Sequence, residues 1–192
     1  MTMRGGQGQR NARARGESAE AQVAAIGRLY EARGKARVWK RPTPTRQVGR
    51  VGADGLHRAF YAAGAGCDFH ALLAPRGRMA VLEVKSTGRA SMPLRARDGG
   101  PIITPVQAAE LTAASALGGL ALLLLRVRLQ WWVMLWPRWV ELVEEVRSDG
   151  RGSATVDVLD RHGARCAPGP GGPDWLANLP PKLLLGEEVS RG

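Results

Sequence analysis

Residues 117–127 read LGGLALLLLRV, the most apolar run in the chain, and its 11 residues fall well short of the roughly 20 that a membrane-crossing helix needs. An apolar run of this length is a buried strand. Its flanks narrow the choice of fold. Upstream, TPVQAAELTAASALGG (104–119) predicts a helix: Thr104 at the N-cap, Pro105 at the first helical position, Gln107 closing a capping box, and Gly118 and Gly119 at the end. Downstream, only a few residues separate the run from a second apolar strand at 130–136, so the two form a hairpin. PRWVELVEEVR (137–147) then predicts another helix.

Elsewhere the local signals are of the same kind. Ala19, Val23, Ile26 and Tyr30 recur at spacings of 4, 3 and 4, which predicts an amphipathic helix over 17–33. KARVWK (35–40) reads as a strand stopped by the Pro-Thr-Pro at 42–44. Residues 68–73 and 79–86 predict a hairpin around the turn APRGR, and residues 153–160 one more short strand. CAPGPGGPD (166–174) reads as a Pro/Gly linker followed by a tail. The expected class is therefore α/β, a mixed central sheet flanked by helices. Its expected partition is a flexible basic arm (1–15), one main domain (16–147) and a partly looped C-terminal extension (148–192).

Charge is unevenly placed along the chain. Residues 1–50 carry 12 basic against 3 acidic side chains, residues 51–100 carry 7 against 4, and the remainder 9 against 10. Arg-rich composition alone would spread evenly. A basic N-terminal half points to a polyanion, most simply nucleic acid. Two cysteines, Cys67 and Cys166, make no disulfide framework, and the first 16 residues lack the apolar core of a secretory signal. These features predict a cytoplasmic, nucleic-acid-associated protein with no membrane partner.

Chemistry is concentrated around LEVKST (82–87). Its alternation predicts a half-buried strand with Glu83 and Lys85 on one face, a pattern also met in ordinary solvent-facing strands. Asp68 lies 15 positions upstream, across the expected hairpin, so its carboxylate can converge on the Glu83/Lys85 face. Two carboxylates and a lysine are the parts needed to hydrolyse a phosphodiester. Hard oxygens hold Mg²⁺, the metal activates water, and an ammonium offsets charge in the transition state.

Asp-(15)-Glu-Val-Lys resembles the PD-(D/E)xK nuclease signature. More specifically, RGESAE, KARVWKRPTP, AFYAAGAGCDF, LEVKST, GGLALLLLRV and WVMLWP, in this order over residues 14–142, resemble the RecU type of Holliday-junction resolvase, related to the archaeal Hjc enzymes. The resemblance implies a restriction-endonuclease-like fold with a projecting basic stalk at about 45–59. It implies a homodimeric, Mg²⁺-dependent enzyme, with Mn²⁺ as a substitute, that resolves four-way junction DNA by paired symmetric nicks leaving 5′-phosphates. It implies that Asp68, Glu83 and the Val84 carbonyl ligate metal, that Lys85 serves the water and transition state, and that Glu20 reaches the site from the first helix. Arg15, Lys40 and Arg41 would contact DNA, as would Arg46, Arg50 and Arg58 on the stalk, with Phe60 and Tyr61 stacking at its base. Alternatives are a duplex-cutting nuclease of the same superfamily or a non-catalytic DNA-binding protein. Cys67 and Ser86 depart from the family pattern, which usually has a Thr before the Asp and often an acid after the Lys.

Gln107 is explained equally by its capping box and by an approach to the site. Asp157, Asp160, His162 and Cys166 fit no zinc spacing and read as a solvated loop. His57 and His70 have no triad partners. Trp131, Trp132, Trp136 and Trp139 read as core or subunit interface rather than as base-stacking platforms.

Overall fold

A computed structural model describes residues 5–42, 45–47, 59–61 and 66–185. In chain order the elements are α1 (Gly5–Ala32), β1 (Ala36–Lys40), β2 (Thr45–Gln47), β3 (Ala59–Tyr61), β4 (Phe69–Leu73), β5 (Arg78–Thr87), β6 (Met92–Pro93), α2 (Pro105–Ala116), β7 (Leu120–Val127) and β8 (Gln130–Leu135). They continue with α3 (Trp136–Ser148), β9 (Ser153–Ala154), α4 (Val156–His162), β10 (Ala164–Cys166), β11 (Pro168–Gly169), β12 (Gly172–Pro173), a 3-10 turn (Leu176–Asn178) and α5 (Pro181–Leu185).

The apolar run becomes β7, near the middle of a six-stranded sheet of order β1-β4-β5-β7-β8-β10. β5 and β7 run parallel and every other neighbouring pair is antiparallel, so the sheet is mixed. β7 is apolar at nearly every position because both its faces are covered. Leu122 and Leu124 join a core with Val23, Ile26 and Tyr30 of α1, while Leu123 and Leu125 join a second core with Leu111 of α2 and Leu142 of α3. Each leucine buried this way contributes about 1.5–3 kcal/mol before entropy is counted.

α2 starts as its sequence predicts: the Thr104 side chain accepts from the Gln107 N–H, and the Gln107 side chain accepts from the Thr104 N–H. It ends before Gly118, whose φ of +81° favours a residue without a Cβ. Trp131 and Trp132 are adjacent on β8 and therefore enter opposite cores, and Trp139 enters the α2/α3 side. Trp136 is only partly buried and donates to the Thr112 hydroxyl at 3.0 Å.

Four local expectations change. The backbone of α1 is already helical from Gly5, so most of the expected arm is helix. β5 is buried on both faces from Ala80 to Val84 rather than half-buried, because β4 and β7 hydrogen-bond its two edges and helices cover both sides. The strand expected at 153–160 is the two-residue β9 followed by α4, whose Val158 and Leu159 are buried side by side. The expected linker and tail fold back. β10 takes the sheet edge, and Trp175, Leu176, Leu179 and Leu183 pack into the α1 core. Tyr30 secures this return: its hydroxyl donates to Asp174 at 2.7 Å, accepts the Leu176 N–H at 3.1 Å, and its ring meets Trp175 edge-on.

β2 and β3 pair antiparallel, placing Arg46 opposite Phe60 and Tyr61 opposite Thr45. The rest of the expected stalk, including Arg50, His57 and Arg58, lies outside the described residues. No helix among the described residues is long and apolar enough to cross a membrane.

Candidate active site

The site forms where β1 ends, β4 begins and β5 nears its C-terminal end. The last β1–β4 pair is Lys40 with Phe69, and the Arg41 N–H extends that ladder by donating to the Asp68 carbonyl at 2.8 Å. Asp68 therefore stands one residue before β4, beyond the last β4–β5 pair, Phe69 with Leu82. There its Oδ2 accepts the Val84 N–H at 2.9 Å. A strand residue points its N–H and C=O to the same edge, so the Val84 carbonyl also lies on the Asp68 side.

Glu83 is fully buried. Its Oε1 accepts from Lys85 Nζ at 2.5 Å and from Gln107 Nε2 at 2.7 Å, whereas its Oε2 is buried with no partner. Burial pushes the Glu83 carboxyl up to about 8, with Lys85 opposing the shift and the nearby Asp68 adding to it. Asp68 is likewise raised by burial, against the pull of the Val84 N–H. Gln107 serves both of the roles open to it. Its Oε1 closes the cap on Thr104 and lies 3.4 Å from Lys85 Nζ, while its Nε2 holds Glu83.

Glu20 comes from α1 and meets Lys40 of β1 at 2.7 Å. That bond holds the Lys40 ammonium above its ordinary value, and the Glu20 charge also acts on Asp68. Two residues expected to act apart, one in the site and one on DNA, are thus a pair at its rim. Arg41 is committed as well: its guanidinium meets Glu110 at 2.5 Å. Arg15 is exposed and lies over Gly88, just past the end of β5.

Glu110 is the residue that sequence reasoning missed. It accepts the Cys67 N–H at 2.8 Å and pairs with Arg41 and with His70 Nε2 at 3.0 Å, which ties the loop before Asp68 to α2. Burial works against its charge, but these partners outweigh it and hold the carboxyl below the usual range. Gly66 makes room, since a Cβ there would come within 2.2 Å of Glu110 Oε2. A signal was present: Glu110 follows Gln107 by three positions, on the same face of a predicted helix.

The group at 157–166 is not a solvated loop. Asp160 accepts from Trp132 Nε1 at 2.8 Å and from Arg165 at 2.7 and 2.6 Å, and His162 Nε2 meets Glu145 at 2.7 Å. These contacts belong to α4 and β10 and are structural. Among the described residues no group of three or more His, Cys, Asp or Glu is gathered to hold a metal ion. The cluster around Glu83 is instead a carboxylate pair backed by main-chain groups. Compared with protein-family models and with curated proteins, the chain matches none significantly.

Proposed function

We propose that the chain is a Mg²⁺-dependent, structure-selective endonuclease of restriction-endonuclease-like fold, which resolves four-way DNA junctions as a homodimer. The observation that carries this reading is Glu83, a buried carboxylate with one oxygen held by Lys85 and Gln107 and the other without a partner, next to Asp68. A buried, half-satisfied carboxylate destabilises a fold, and such groups cluster where chemistry is done.

The donor set fits a hard cation. Asp68, the orphaned Glu83 oxygen and the Val84 carbonyl are all oxygens, which suits Mg²⁺ and accepts Mn²⁺. When bound, the ion supplies positive charge at the phosphate oxygens and acidifies water. The chain's own residues do the rest. Lys85 offsets the charge that grows on the phosphate as water adds to phosphorus and the bond to the 3′ oxygen breaks, leaving a 5′-phosphate. Gln107 fixes both Glu83 and Lys85, and Glu110 fixes the loop that presents Asp68. A junction is resolved by two cuts, so two copies of one site related by a twofold axis suit the substrate. Arg15 lies exposed beside the site and supplies a phosphate contact.

The test is cleavage of a labelled four-way junction with Mg²⁺ or EDTA by wild type and Glu83→Gln. Paired symmetric nicks that need Mg²⁺ and vanish in the variant, with binding retained, support the reading. Binding without cleavage by wild type points to a DNA-binding protein, and equal cutting of plain duplex to a different substrate.

A further inference from the structure

At the C-terminal end of β5, just past the candidate site, three elements distant in sequence bring arginines together around Thr87 and Gly88. Arg15 of α1 lies over Gly88, its Nε 3.6 Å and its Cζ 3.7 Å from where a Cβ there would be. The Arg89 N–H donates to the Thr87 hydroxyl at 3.1 Å, which folds the loop after β5 back onto the strand end. The Arg128 N–H, in the β7–β8 turn, donates to the Thr87 carbonyl at 2.8 Å. All three arginines are exposed, and no carboxylate among the described residues pairs with any of them. Other arginines are held by carboxylates, among them Arg41 by Glu110, Arg138 by Glu141, Arg161 by Glu145 and Arg165 by Asp160.

The turn itself is not built for stability. Val127 pairs with Gln130, so Arg128 and Leu129 are the whole loop. Arg128 is the only described non-glycine residue with positive φ, at 55°, and Leu129 is 81% exposed. A two-residue hairpin loop is cheapest with Asn-Gly or a similar pair, and backbone outliers of this kind concentrate at functional surfaces. Both side chains of the turn are exposed, so neither is held by packing against the protein.

We propose that Arg89 and Arg128 extend the phosphate contact of Arg15 into a surface that grips one duplex arm of the DNA substrate beyond the cut. This rests on the nuclease reading above. Thr87 is four strand residues past Glu83, about 13 Å at ~3.3 Å per residue, or roughly four nucleotides along a duplex axis. Cationic groups at that distance hold the arm next to the scissile phosphate without touching the chemistry.

The experiment compares full-length wild type, Arg89→Ala/Arg128→Asn, and a control of equal charge loss, Arg33→Ala/Arg147→Ala. Asn accepts positive φ, so the turn survives. The readouts are affinity for a fluorescent four-way junction in EDTA across a salt series, and Mg²⁺-dependent nicking at saturating DNA. Expected for the patch variant are about a tenfold weaker affinity at ~0.15 M salt and a salt slope shallower by about 2, with nicking at saturation unchanged and the control like wild type. Affinity and slope equal to the control's, with wild type binding and nicking, overturn the proposal and leave the nuclease reading standing. A wild type that binds no DNA overturns both.

Discussion

Two carboxylate–cation groups sit on one sheet and are built in opposite ways. At the β5 end, Glu83 is fully buried, keeps one oxygen without a partner, and has its carboxyl pushed up to about 8. At the β10 edge, Asp160 has both oxygens bonded, to Trp132 and Arg165, and those bonds hold it below the ordinary carboxylate range. The second arrangement is what a fold needs to seat a buried indole N–H and secure an edge strand. The first is what a fold avoids unless something else uses the free oxygen. On the reading proposed above, the contrast separates an acid kept for a ligand from an acid kept for packing, though both are one carboxylate beside one cation.

The largest effect that tests this contrast is on cleavage. Lys85→Met should lower Mg²⁺-dependent nicking by about 10²–10³-fold, the usual cost of losing one group that stabilises transition-state charge, with junction binding nearly unchanged. The matching change at the other group, Arg165→Met, should leave nicking untouched. Single-turnover rates on a labelled junction read both. Next come the residues that hold the acids in place. Gln107→Leu and Glu110→Leu should each cost about 10–100-fold in the same assay, the range for partners that orient ligands. Partial recovery in Glu110→Gln, which keeps an acceptor for the Cys67 N–H, would assign Glu110 a positioning role. Glu110→Leu with wild-type rates would remove it from the site.

What the sequence made legible is what local chemistry decides. The capping box of α2, the spacing of Ala19, Val23, Ile26 and Tyr30, and the apolar run of β7 all signal within a few residues; α2 and β7 lie where those signals put them, while α1 also runs back to Gly5. Properties set by distant neighbours were hidden. The period of LEVKST cannot tell a half-buried strand from one covered on both sides, because the covering comes from α1 and α2. Residues 153–160 alternate well enough for a strand, but Val158 and Leu159 are both buried, which only a helix allows on one side. The Pro/Gly stretch at 166–174 reads as linker by composition, while its fixation depends on Tyr30, 144 positions from Asp174. Of the candidate site, Asp68, Glu83 and Lys85 came from a spacing. Glu110 needed the helix face to be aimed at the loop before Asp68.

The two groups should also pull stability in opposite directions with pH. Glu83 has a folded pKa above its unfolded one, so the folded state binds the extra proton between about 4.5 and about 8. Its contribution to stability therefore falls as pH rises through that window, by at most about 1.4 kcal/mol per pH unit. Asp68 adds the same sign from lower pH. Glu110 and Asp160, both held below their ordinary values, contribute stability above the unfolded carboxylate range and lose it as pH falls through their folded pKa values. Metal-free thermal melts should thus show an acid limb and a separate decline toward pH 8. Glu83→Gln should remove the second and keep the first. Persistence of the neutral decline in Glu83→Gln would move its origin away from this carboxylate.

The smallest effect belongs to the packing group. Trp132 is fully buried and its Nε1 has Asp160 as hydrogen-bond acceptor. Asp160→Ala strands that donor and should cost about 1–2 kcal/mol in urea unfolding, whereas Asp160→Asn keeps an acceptor in place and should cost less. Neither change should alter nicking, since β10, which carries Arg165, lies three strands along the sheet from β5. At Glu83 the order reverses: removing its charge should leave stability unharmed or improved, and should abolish cleavage. An Asp160→Ala protein that unfolds more easily yet cuts normally, beside a Glu83→Gln protein that is stable yet inert, would show that burial and the unmatched oxygen distinguish the two acids. Pairing with a cation is common to both and separates neither.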